Sequence, residues 1–154
     1  MKARATALGL VLCFVCVAAC FAADAFIGTW KLNEAKSKFS PGSPKNTTVV
    51  YEAVGDEVKV TIDGTAGDGT PTHNVWTGKF DGKDYPVTGD PNSDARALKK
   101  INDHTLTFEV KKGDKVVTSG RIVLSADGKT RTVTTTGTDP KGNKISGTAV
   151  YDKQ

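Results

Sequence analysis

Past Cys20 the chain has no cysteine. All three of its cysteines, Cys13, Cys16 and Cys20, fall within the first 20 of 154 residues. The region that follows therefore holds no disulfide, no thiolate nucleophile and no cysteine-based metal site. Histidine is nearly as scarce: His73 stands in a strand-like run and His104 in the turn-like "NDHT". There is no Gly-x-Ser-x-Gly elbow, phosphate loop or dinucleotide fingerprint. Asp63 and Asp68 sit among turn glycines, where Asp serves local hydrogen bonding, and their spacing is not that of a calcium loop. No catalytic residue, metal or cofactor is expected, and the chain is not expected to be an enzyme. A long helical pattern is missing as well. Only "NEAKSK" (33–38) could make a turn or two before the prolines of "SPGSP" stop it. Charges of both signs are scattered singly, which argues against nucleic acid as a partner.

What is present begins with an N-terminal segment of different character. Lys2 and Arg4 precede the uncharged residues 5–23, rich in Leu, Val, Phe and Ala, and small residues lead into Asp24. That layout is a secretory signal over residues 1–23, with a mature domain from 24 to 154. An uncleaved membrane anchor would need roughly 20 apolar residues, but no basic stop follows here. Two cleavage sites remain open. "VAAC" (17–20) resembles a bacterial lipoprotein box, which implies a lipid on Cys20; an ordinary cut after Ala22 or Ala23 would release a soluble protein. Removing Lys2 and Arg4 leaves 19 basic against 17 acidic residues, so the formal charge of +4 falls to +2. Export to the periplasm or the exterior is expected, with the membrane a partner only through an anchor at Cys20.

From residue 46 onward short alternating runs are separated by Gly, Asp, Asn and Pro clusters every eight to twelve residues. "EVKVTID" sets Val58, Val60 and Ile62 on one face, and "TLTFEVKK" does the same with Leu106, Phe108 and Val110. Trp76 shares a face with Phe80, Tyr85 with Val87, and Ile122 with Leu124. Pro86 cannot donate to a ladder, so its strand is expected at an edge or locally irregular. The pattern predicts an all-β fold: an antiparallel up-and-down barrel of about 8–10 strands, closed because closure removes unpaired edges.

The two ends of that domain carry a resemblance. "FIGTWKL" (26–32) is similar to the first strand of calycins, the lipocalins and intracellular fatty-acid-binding proteins, and "GTAVYDKQ" (147–154) resembles the last strand of the latter. The resemblance implies that Gly28 and Trp30 plug the closed end of a barrel. It also implies a late basic residue packed on the tryptophan, with Arg131 and Lys153 as candidates. Two departures matter. Residues 33–46 contain Pro41 and Pro44 and are too few for the helical lid of fatty-acid-binding proteins. The arginine that holds a carboxylate in that family's last strand is replaced by Ala149, and Arg121 and Arg131 are read as solvated strand residues.

The expectation is an exported, monomeric barrel that binds a small hydrophobic ligand, with Trp76, Phe80, Tyr85, Phe108 and Tyr151 as lining. The alternative is a solid barrel that acts through its outside, as an envelope structural protein or an inhibitor of another protein. The mass of the mature chain from a membrane fraction checks the anchor: a diacylglyceryl increment on Cys20, with release of the chain by Cys20→Ala, is the lipoprotein outcome. A bare chain beginning at Ala23 or Asp24 is the soluble one.

Overall fold

The computed structural model describes residues 24–154. The signal segment 1–23 and Cys20 lie outside the described residues. Alternation and turn punctuation become a series of hairpins. The strands are β1 (Gly28–Leu32), β2 (Lys38–Phe39), β3 (Lys45–Val54), β4 (Glu57–Thr65), β5 (Pro71–Gly78), β6 (Asp81–Thr88), β7 (Ala95–Asn102), β8 (Thr105–Lys112), β9 (Lys115–Leu124), β10 (Thr130–Thr138) and β11 (Lys144–Lys153). Consecutive strands pair antiparallel from β3 to β11. The short β1 lies between β3 and β11 and closes the ring, giving a barrel of ten strands. β2 is not an eleventh stave: it pairs with β11 at Gly147 and Thr148, above the stretch of β11 that β1 occupies.

Between β1 and β2 the expected turn is a single 3-10 turn, Glu34–Lys36. The Asn33 side chain caps it by accepting from the Lys36 N–H, and Ser37 Oγ donates to the Asn33 carbonyl at 2.7 Å. No other helix occurs among the described residues.

The inward faces are those the alternation marks. Val60, Ile62, Leu106, Ile122 and Leu124 are buried, and Val58 and Phe108 pack against them. Pro86 falls in an irregular strand: β5 and β6 share only the registered pairs Val75 with Thr88 and Trp76 with Val87, and the β6–β7 register slips between Asp81 and Asp84.

One end of the barrel is filled. Phe26, Trp30, Trp76 and Leu106 are each 0% exposed. Phe80 stacks on Trp76 with centroids 6.4 Å apart and meets Phe26 edge-on at 6.3 Å, while Tyr85 meets Trp76 edge-on at 5.8 Å. Such offset and edge-on pairs are the favoured aromatic geometries. Phe26 reaches this position because Asp24 folds the chain into a turn, accepting from the Phe26 N–H at 3.0 Å and, through its carbonyl, from Ile27 at 2.8 Å. The Trp30 indole donates to the Phe26 carbonyl at 2.9 Å.

Gly28 has a φ of +128°, and a Cβ there would lie 2.8 Å from Lys153 Cε. The backbone region favours glycine, and a side chain here would also displace the flexible end of Lys153. Gly28→Ala is expected to destabilise the barrel by about 1–3 kcal/mol, the usual cost of a side chain in such a region. Urea unfolding of the two proteins measures it; an unchanged midpoint would show that the turn does not constrain the fold.

Candidate functional site

Above the aromatic plug the barrel is hollow. A cavity of about 840 Å³ runs from the plug to the loops at the other end. Its walls come from the inward positions of the long strands, among them Val49, Ile62, Leu98, Ile122, Val133 and Ala149. The rim is the turns after β4, β6 and β10, with Asp68, Asn92 and Asp139. Space survives here for two reasons. Ten staves enclose a wider interior than eight, and several inward positions are small.

Phe108 is placed by one of those small residues. A Cβ on Gly120, its neighbour on β9, would lie 2.6 Å from the Phe108 ring, so the ring rests on bare backbone. Tyr151 projects from β11 and its hydroxyl donates to the Asn46 carbonyl at 2.9 Å. Burial pushes its phenol up to about 12, with Arg131 opposing the rise and Tyr51 adding to it.

Arg131 is the unexpected residue. It pairs with Tyr151 across the β10–β11 ladder and is 2% exposed, not the solvated strand residue that its sequence context implied. Its guanidinium carbon lies 5.0, 5.1 and 4.6 Å from the ring centroids of Trp30, Tyr51 and Tyr151. Each such contact is worth roughly 0.5–2 kcal/mol, which offsets part of the cost of burying a charge. Its Nε and Nη1 have no hydrogen-bond partner among the described residues. Lys153 packs on the same indole, with Nζ 5.2 Å from the Trp30 ring, and donates to the Ala25 carbonyl at 3.0 Å. Both late basic residues thus meet the tryptophan. Lys153 ties it to the N-terminal turn, and Arg131 faces the cavity.

A second arginine enters the cavity from β7. Half-buried Arg96 donates from Nη2 to Asn74 Oδ1 at 3.2 Å, and its carbonyl accepts from the Trp76 indole at 2.8 Å. Burial pushes its guanidinium down from the usual arginine value, and the Tyr51 phenol and Asp90 oppose that. It still carries its charge at neutral pH.

The five aromatic residues expected as lining divide into two groups. Phe108 and Tyr151 line the cavity. Trp76, Phe80 and Tyr85 do not: they form the plug, because their positions fall towards the closed end of β5 and β6, where Gly78 gives the Trp76 and Tyr85 rings room. Gly28 and Trp30 lie at that same end. Arg121 is exposed, as are His73 and His104. His73 is paired at the surface with Asp63 at 2.6 Å. No group of three metal-ligating side chains occurs among the described residues. Tyr51, Asn74 and Arg96 are among the cavity residues that sequence reasoning did not single out. The alternation that places Val49 and Ile62 inward also places Tyr51 and Asn74, so that signal was available.

No protein-family model and no curated protein matches the chain. Among solved structures it is similar to EF1p2_mFAP2b, solved bound to DFHBI, at 12% identity and a TM-score of 0.52, over 86% of this chain and 97% of that one. Likeness also extends to the redesigned β-barrel mFAP1 bound to DFHBI (14% identity, TM-score 0.47, covering 84% and 95%). A third is a fluorescence-activating β-barrel designed de novo (15%, 0.46, covering 86% and 97%). At such identities the EF1p2_mFAP2b match shows a shared fold, a closed antiparallel β-barrel, and nothing finer.

The Tyr151 phenol gives the site a measurable signature. Its neutral form is favoured by folding, so this contribution to stability is complete below the free tyrosine value of about 10 and is lost as pH rises towards 12. Ultraviolet difference titration should show a phenol ionising near pH 12, above the free tyrosine value of about 10, and Tyr151→Phe should remove that step. A step that remains in the variant would assign the late phenol elsewhere.

Proposed function

We propose that this protein carries a small, largely apolar molecule inside its barrel. The carrying observation is the cavity: about 840 Å³, its wall surface more apolar than polar, closed at one end by aromatic packing. Ligand sites are typically about 300–1,000 Å³ and mostly apolar. Filling such a space removes apolar surface from water at roughly 25 cal/mol per Å², before the cost of immobilising the ligand. Phe108 and Tyr151 are proposed contacts. Trp76, Phe80 and Tyr85 support the floor from beneath. A barrel acting only through its outside has no need of this space, which is why carriage is preferred.

The kinship proposed is lipocalin-like, supported by Gly28 and Trp30 at the closed end and by the basic pair on the indole. Export is proposed from the sequence alone. Asp24 and Ala25 lie at the closed end, joined to Lys100 at 3.1 Å and to Lys153 at 3.0 Å. A lipid at Cys20 would therefore hold the closed end towards the membrane and turn the mouth away.

The test uses a neutral fluorogenic probe, phenylnaphthylamine, and two variants that fill the cavity from different strands, Ala149→Trp and Thr135→Trp. The parent should bind with saturable fluorescence enhancement. Each variant should bind at least tenfold more weakly with an unchanged far-ultraviolet circular dichroism spectrum. No saturable enhancement in the parent, or full binding by both variants, would refute carriage in this cavity.

A further inference from the structure

The charges of the barrel are divided between its two sides. Strands β3–β8 and their turns, residues 45–114, hold 9 basic against 12 acidic residues, a formal charge of −3. β1, β2 and β9–β11 with theirs, residues 28–44 and 115–154, hold 10 basic against 4 acidic, or +6. Ion pairing follows the same division. Every lysine in an ion pair, from Lys45 to Lys112, stands on the first side. On the second, Lys36, Lys38, Lys115, Arg121, Lys141 and Lys144 are exposed and make none among the described residues. The four acids of that side are committed elsewhere. Glu34 pairs with Lys45 across the divide at 2.8 Å, and Asp152 accepts from the Asn33 side chain at 2.7 Å. Asp127 and Asp139 are held by N–H groups of their own turns.

β9 and β10 contain no acidic residue. Register aligns their outward side chains with those of β11 and β2. Arg121 stands opposite Thr134, Thr134 opposite Thr148, and Thr148 opposite Lys38. At the usual strand spacing this row runs about 14 Å, with a cation at each end. The rows beside it are uncharged: Val123, Thr132 and Val150 towards the closed end, Ser119, Thr136 and Ser146 towards the mouth. Val116 and Val123, at 43% and 41% exposed, are among the large apolar side chains most open to solvent, and both lie on β9. Glu109 of β8, opposite Ser119, marks the border with the acidic side.

Exposed ion pairs add little to stability, so leaving these cations unpaired costs the fold little. What it leaves is a positive field that reaches about 8 Å into physiological salt. A partner that answers the field must be anionic, and must accept a convex wall with valines among the cations. A nucleic acid is ill matched. The one aromatic residue of β9–β11 is the buried Tyr151, so no base could stack on this wall. A bilayer fits, because its phosphates meet the cations while small apolar side chains enter the headgroup region. We propose that this side of the barrel docks on anionic phospholipid membranes through the row from Lys38 to Arg121. The contact belongs to the outer wall and needs neither a lipid at Cys20 nor a filled cavity. It lays the barrel on its side in a chain that carries no lipid.

The experiment measures co-sedimentation of the mature chain with vesicles of pure phosphatidylcholine and with vesicles one-third phosphatidylglycerol. Two double variants of equal charge are compared, with thermal unfolding recorded for each. Lys38→Gln/Arg121→Gln neutralises the row, and Lys83→Gln/Lys99→Gln removes two exposed lysines from the acidic side. The parent should bind the anionic vesicles at least tenfold more tightly than the neutral ones, and molar salt should release it. Each cation near such a surface contributes roughly fivefold, so the row variant should lose at least tenfold and the Lys83/Lys99 variant less than threefold. Equal binding to both kinds of vesicle, no binding to either, or the same loss in both variants would overturn the proposal. So would capture by dextran sulfate without binding to vesicles, which would assign this wall to a soluble polyanion.

Discussion

Closure of the barrel depends on a strand of five residues. β1 is the one element that joins the first long stave, β3, to the last, β11, and Trp30 is its middle residue, in register with Val49 on one side and Lys153 on the other. A ten-residue β11 could not be spanned by so short a strand. The chain solves this by stepping away through the 3-10 turn and returning as β2 to pair with the upper part of β11. The residues that fill the closed end follow from the same placement. Phe26 lies just before β1, Gly28 lets Lys153 pass, and the indole is held by its bond to the Phe26 carbonyl. Plug and closure thus meet in one construction, in which the two ends of the described chain pack against Trp76, Phe80 and Tyr85.

Above it the barrel makes the opposite choice. Aromatic bulk is concentrated at one end, and the remaining interior is lined by aliphatic, small and polar side chains with a few aromatics, among them Phe108 and Tyr151. A protein seeking stability alone would fill that space, since apolar contacts in a dense interior are favourable and voids are not. Arg131 marks the boundary between the two regimes. Its guanidinium touches the plug through Trp30 and the cavity through Tyr151.

The architecture was legible and the cavity was not, for separate physical reasons. Period-two alternation in stretches such as 57–63 and 105–110 reports directly which face of a strand is buried. Glycine and aspartate between them report where it turns. Neither says how far along the barrel axis a residue lies, because that depends on register and tilt accumulated over several hairpins. Trp76 and Phe108 are both inward aromatics in sequence, yet one is at the closed end and the other in the hollow. Arg131 misled for a different reason: a cation between threonines looks solvated, and the rings that cover it come from β1, β3 and β11. Phe26 was inconspicuous because its burial depends on a turn made by Asp24, not on a strand face.

The seam between β5 and β6 carries a final consequence. Its ladder has two registered pairs, and Pro86 removes a donor from it. What spans the gap is the Trp76 indole, which reaches past β6 to the Arg96 carbonyl on β7. A closed sheet escapes self-association only while it has no free border. This barrel is therefore closed at that line by a latch as well as a ladder, and without the indole's bond the seam would be held by its two registered pairs and the packing of the rings beside them.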